Sequence, residues 1–115
     1  MTKTIFICFD FGLRGDFEGL YQWLDEKDAQ ERGYGIALIK NYSVEAQIKT
    51  DLDFLNAVKL ELSKVLKIGN SDRIYMIWNS FEGNKIKSGF LYGKGKQSPW
   101  TGFAQKVGES LDLDV

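Results

Sequence analysis

Apolar residues run unbroken from Ile5 to Phe9 and stop at a carboxylate, Asp10. A β-rich run of this kind predicts a strand buried on both faces, at the centre of a sheet. After a glycine-punctuated turn, Phe11–Gly15, the period changes. Phe17, Leu20, Tyr21 and Leu24 fall at i, i+3, i+4 and i+7, predicting a helix from Phe17 to about Asp25 with Asp16 as its N-cap. Gly19 inside that helix costs roughly 1 kcal/mol relative to Ala; either it admits a close neighbour or it is merely tolerated.

A second apolar run, Ile36–Ile39, centres a strand over Gly35–Asn41. Its partner is either Ala29–Gly33 or Val44–Lys49. The next helix starts at Asp51 or Leu52 and reaches about Lys67. Thr50 caps it with Asp53 three residues on, Leu55, Val58, Leu62, Val65 and Leu66 form its buried stripe, and Gly69 lies just past its end. Arg73–Trp78 is a further compact strand, and Glu82–Asn84 turns the chain into Lys85–Tyr92. This order predicts two helices on one face of a mostly antiparallel sheet whose centre is the pair Ile5–Phe9 and Ile74–Trp78. The class is α/β (α+β), a ferredoxin-like sandwich with an added C-terminal hairpin strand. Residues 1–93 form the body of this one domain. Residues 94–115, entered through GKGKQSP, are an appendage of it in which Ser98-Pro99 opens a short helix.

Composition narrows the chemistry more than the fold. At 115 residues, with 43% hydrophobic and 27% charged side chains, the chain is an ordinary globular domain. No apolar run approaches a membrane span, and Asp10 interrupts the first run too early for a secretory leader, so a cytoplasmic protein with no membrane partner is expected. There is no histidine, and Cys8 is the single cysteine. Histidine-based catalytic triads, histidine zinc sites and thiolate zinc sites are thereby excluded. Any reaction rests on carboxylates, lysine or arginine, hydroxyls or a hard cation. Cys8, inside the first strand, reads as a small core hydrophobe.

The net charge of −1 hides a local imbalance. Lys85, Lys87, Lys94, Lys96 and Lys106 fall in a stretch without acids, followed by Glu109, Asp112 and Asp114. Interleaved with Phe90, Tyr92, Trp100 and Phe103, these lysines suit a single-stranded nucleic acid, cations on phosphates and rings on bases. The other reading is an edge hairpin kept soluble by lysines, with its aromatics in the core or a dimer interface. Phe81, Phe90 and Tyr92 near a sheet edge favour a twofold dimer.

Asp10, at a strand end, is the candidate magnesium ligand and hence the candidate catalytic residue, its alternative role being to cap the following turn. Gly12–Gly15 with Arg14 is either a phosphate-binding loop or a plain connection. Gly89–Gly95, GFLYGKG, lacks the spacing of a nucleotide-binding loop.

The opening MTKTIFICFDFGLRGDFEGLYQWL resembles the small ferredoxin-like CRISPR-associated adaptation protein family, the second, non-integrase component, and its SinR-like relatives. Asp10 matches the family's strand-end aspartate, Asp16–Tyr21 its SinR-like helix start, and Ser71–Tyr75 its aspartate-led strand. Gly35–Ile39 stands where the family carries a Ser-Val-Phe signature. The resemblance implies a homodimer with two Asp10 carboxylates near the dyad sharing Mg²⁺. It further implies either a metal-dependent nuclease with Asp10 as ligand or a non-catalytic scaffold for a partner integrase. By residue type and position, Arg14, Lys85, Lys87, Lys94, Lys96 and Trp100 are the candidates to contact a nucleic acid. From the residues themselves two alternatives stay open: an interaction module using the C-terminal hairpin, and a phosphate-binding domain using Gly12–Gly15.

Overall fold

The structure, a computed structural model, describes residues 1–104. Lys106 and the acidic residues Glu109, Asp112 and Asp114 lie outside the described residues. The elements in chain order are β1 (Thr2–Asp10), α1 (Phe17–Glu26), β2 (Gln30–Gly33), β3 (Ile36–Ser43), α2 (Asp51–Ser63), β4 (Arg73–Asn79) and β5 (Ile86–Tyr92). They build one open sheet of five strands in the order β2-β3-β1-β4-β5, every neighbouring pair antiparallel. The Ile5–Phe9 run is the central strand, as its pattern predicts, but it is buried on one face only. Ile5 and Ile7 are buried, whereas Phe6 is exposed and Cys8 half-buried, because both helices cross the same side of the sheet. Of the two candidate partners for β3, the chain uses the residues just before it, joined through Tyr34 and Gly35. Gly35 takes φ +74°, and a Cβ there would sit 2.5 Å from the Phe9 carbonyl oxygen, so only glycine fits this turn.

Alternation along each strand separates two faces. Ile5, Ile7, Ala37, Ile39, Ile74, Met76, Trp78 and Leu91 point to the helices and are buried with Leu20, Trp23 and Leu24 of α1 and Phe54, Val58 and Leu62 of α2. The caps are the expected ones: Asp16 accepts from Gly19 N at 2.9 Å and Thr50 Oγ1 from Asp53 N at 3.1 Å.

Two details of α2 differ from the periodic expectation. The helix ends at Ser63, because the chain tightens there with Val65 N donating to Leu62 O, so Val65 leaves the stripe and is exposed. Phe54, four residues before Val58, takes the central place and packs edge-on against Tyr42, Trp78 and Phe81, leaving Leu55 at the margin. Ser98-Pro99 opens tight turns in place of a helix, with Thr101 N donating to Ser98 O and Phe103 N to Trp100 O.

Two carboxylates tie the layers together. Glu61 of α2 accepts from Trp23 Nε1 of α1 at 3.0 Å, from Tyr42 Oη of β3 at 2.6 Å and from Lys27 Nζ at 2.5 Å. Burial pushes its carboxyl up, but these three hydrogen bonds and the Lys27 charge outweigh that and leave it below the usual range. Asp51, the first residue of α2, accepts from Trp78 Nε1, Ser80 Oγ and Phe81 N at 2.8, 2.6 and 3.1 Å, fixing the helix start over the end of β4. No helix among the described residues is long and apolar enough to cross a membrane.

Candidate functional site

Asp10 closes β1 directly opposite Arg73, which opens β4. The pairing brings the guanidinium onto the carboxylate: Arg73 Nη2 and Nε both donate to Asp10 Oδ2, at 2.6 and 3.2 Å. Those hydrogen bonds, with the charges of Arg73 and Lys96, hold the Asp10 carboxyl below its ordinary value against a small desolvation penalty. Arg73 Nη1 also makes a long 3.5 Å contact with the Lys94 carbonyl.

Asp10 does not cap the following turn. That role belongs to Asp72, a buried carboxylate that accepts from Gly12 N at 2.8 Å and Gly69 N at 2.7 Å. Asp72 was visible in the sequence only as the residue before a strand; its position three after Gly69, the spacing of a side-chain-closed turn, was the available signal.

A magnesium ion at Asp10 would draw most of its oxygens from water, a bound phosphate or a second copy. Asp10 supplies one carboxylate that already holds Arg73 and lies in the field of Lys96, and no cluster of three acids converges among the described residues. In the Gly12–Gly15 loop Gly12 N donates to Asp72 and Gly15 N to Gly12 O, and Phe17 N just beyond it donates to Gly15 O. Arg14 beside them is exposed.

The candidate nucleic-acid residues do not form one stripe. Lys85 and Lys87 flank the start of β5, where Lys87 lies in the field of Asp51. Lys94 and Lys96 follow its end near Asp10 and Arg73. The five strand residues Ser88–Tyr92 lie between the two pairs, a span of roughly 17 Å. Trp100 is exposed in the turns beyond.

The sheet face turned away from the helices carries a feature that patterning of single strands did not reveal. Phe6 stands at its centre with Leu38 and Ile77 directly across from it on the neighbouring strands, and Cys8 lies between Ile36 and Tyr75. Phe90 extends the patch on β5, packed edge-on against Tyr75 at 4.7 Å. Of the three aromatics linked to a dimer, Phe90 alone lies on this face. Phe81 packs against Phe54, and Tyr92 donates its hydroxyl to the Lys59 carbonyl of α2. Charges sit at the margins of the face, Lys40 on β3 at one end, the Asp10–Arg73 pair at the other, and Arg32 on the β2 edge, bonded to Gln30, which pairs with Leu38. Cys8 is half-buried there, and desolvation pushes its thiol up.

A second cluster lies on the helix side, where Phe9, Phe11, Phe17 and Tyr21 close a ring of contacts. Successive centroids are 6.0, 5.2, 5.8 and 6.3 Å apart, all tilted or edge-on. No family model, no curated protein and no solved structure matches this chain.

Proposed function

We propose that this protein is a non-enzymatic interaction module that works as a homodimer, two copies meeting through the open faces of their sheets. The observation that carries the reading is the apolar centre of that face, Phe6 with Leu38, Ile77, Ile36 and Tyr75 around it and the charged side chains at its margins, Arg32 on the β2 edge and the Asp10–Arg73 pair at one end. Contiguous apolar surface of a few hundred Å² on a small domain marks an interaction site. An apolar centre inside a polar rim is the anatomy of a protein–protein interface.

A second copy is the occupant that the dimensions favour. Five strands about 4.8 Å apart and some six residues long, at about 3.3 Å each, give a face of roughly 480 Å² in plan. Two such faces bury on the order of 1,000 Å², the lower bound of a specific interface, and a twofold contact uses the same patch twice. We read the sheet as a ferredoxin-like core, β2-β3-β1-β4, with β5 added at its edge; the antiparallel strand order and the two helices on one face support this.

Sedimentation equilibrium tests the assembly. At micromolar concentration the chain should sediment at about twice its 13.1 kDa mass. Phe6→Lys, which puts a charge at the centre of the face without touching the helix-side core, should sediment as a monomer with a nearly unchanged melting temperature. A monomeric wild type, or a Phe6→Lys protein that dimerises as before, overturns the proposal.

A second reading, single-stranded nucleic acid binding, is favoured by the approach of Lys94 and Lys96 to Arg73 with Trp100 exposed shortly beyond. Affinity would then fall with salt at a log–log slope of roughly −0.7 per phosphate contact, and each of Lys94→Ala and Lys96→Ala would flatten it by that amount. Absence of binding at low salt removes this reading and leaves the first untouched.

A further inference from the structure

We infer that a cavity at the Asp10 end of the sheet binds a substituted ammonium ion. The cavity, of about 500 Å³, lies between α1 and the β2–β3 hairpin. Its volume falls within the range of small-molecule sites, about 300–1,000 Å³. The aromatic ring of Phe9, Phe11, Phe17 and Tyr21 lines it, and Tyr34, fully exposed at the hairpin tip, also borders it. Aromatic faces carry negative partial charge and attract cations, most strongly cations with an apolar, weakly hydrated surface.

Sign and chemistry both follow from the remaining lining. Asp10, Asp25 and Glu31 border the cavity, and no lysine or arginine does. Asp10 is already matched by Arg73, but Asp25 and Glu31 enter no salt bridge among the described residues. An anion would face these carboxylates without a counter-charge. A neutral apolar ligand would strip water from them and return nothing. A cation bearing alkyl groups satisfies both halves of the site, its charge answering the carboxylates and its methyl groups the rings. Asp10 and Ile36 border both this cavity and the open face, but Phe9, Tyr21, Asp25 and Glu31 do not lie on that face, so cation binding and dimerisation are tested by separate variants.

The test is an NMR titration of the intact protein with choline and with 3,3-dimethylbutan-1-ol, its neutral isostere of nearly the same shape. Choline should shift resonances of Tyr21, Glu31 and Tyr34 saturably, and the neutral alcohol should bind about tenfold more weakly or worse. Tyr21→Ala and Asp25→Asn, at exposed positions on α1 that leave the helix-side core intact, should each weaken choline several-fold with unchanged circular dichroism. A peptide carrying one trimethyl-lysine distinguishes the source: tighter binding than choline assigns the cation to a modified protein chain, weaker binding to a free amine. Equal affinity for choline and the alcohol, no saturable choline binding, or full affinity in both variants overturns the inference.

Discussion

At the scale of single residues, charged groups with several partners hold the layers in place, and their removal has calculable consequences. Asp51→Ala strips the acceptor from the buried Trp78 indole, from Ser80 Oγ and from Phe81 N together. Hydrogen bonds to a charged group contribute about 1.5–3 kcal/mol, so a loss of about 2 kcal/mol or more is expected in urea unfolding. Glu61 gives a pH signature. Its folded pKa lies below its unfolded value, so its contribution is complete above about pH 4.3, the ordinary glutamate value, and is lost as pH falls through the folded value. Melting temperature plotted against pH should therefore drop on the acid side in the wild type and drop less in Glu61→Gln. An equal acid limb in both proteins would show that the Trp23–Tyr42–Lys27 cluster does not act through the Glu61 charge. This scale was also the hardest to read in the sequence. Asp10 was singled out from its place at a strand end, but its partner Arg73 is 63 residues away, and only strand register sets them side by side.

At the scale of elements the hydrophobic pattern was a good guide, since each strand and helix owes its existence to a local period. The starts of α1 and α2 were legible because their cap residues act over three positions. The end of α2 and the centring of Phe54 were not, because both depend on where the helix meets β4 and β3. Gly19 shows the same dependence. In an isolated helix, Gly→Ala gains about 1 kcal/mol. Here a Cβ at Gly19 would lie 2.7 Å from the Val65 carbonyl oxygen, where α1 crosses the chain leaving α2, and Asp16 Oδ2 bridges the same gap to Lys67 N at 3.0 Å. Gly19→Ala should therefore destabilise the protein by denaturant titration, reversing the sign that helix propensity alone gives. A stabilised variant would mean that the two segments are not in this close contact.

For the whole molecule, strand and helix order in the sequence led to one antiparallel sheet with both helices on one side. It did not disclose the other side. Phe6, Cys8, Leu38 and Ile77 each look like core residues of central strands, and their gathering on a face without helices appears only once five strands are in register. The aromatic cavity was hidden for the same reason, since Phe9, Tyr21 and Tyr34 come from three elements. The central claim is that this open face is where two copies meet, and Cys8, lying on it beside Ile36 and Tyr75, reports on it directly. The measurement is the alkylation rate of Cys8 by a small maleimide, followed by mass spectrometry from nanomolar to high micromolar protein. The rate constant should fall as the dimer forms and should stay constant in Phe6→Lys. A dimer whose Cys8 reacts as fast as the monomer's, or a wild-type rate independent of concentration, would contradict the account.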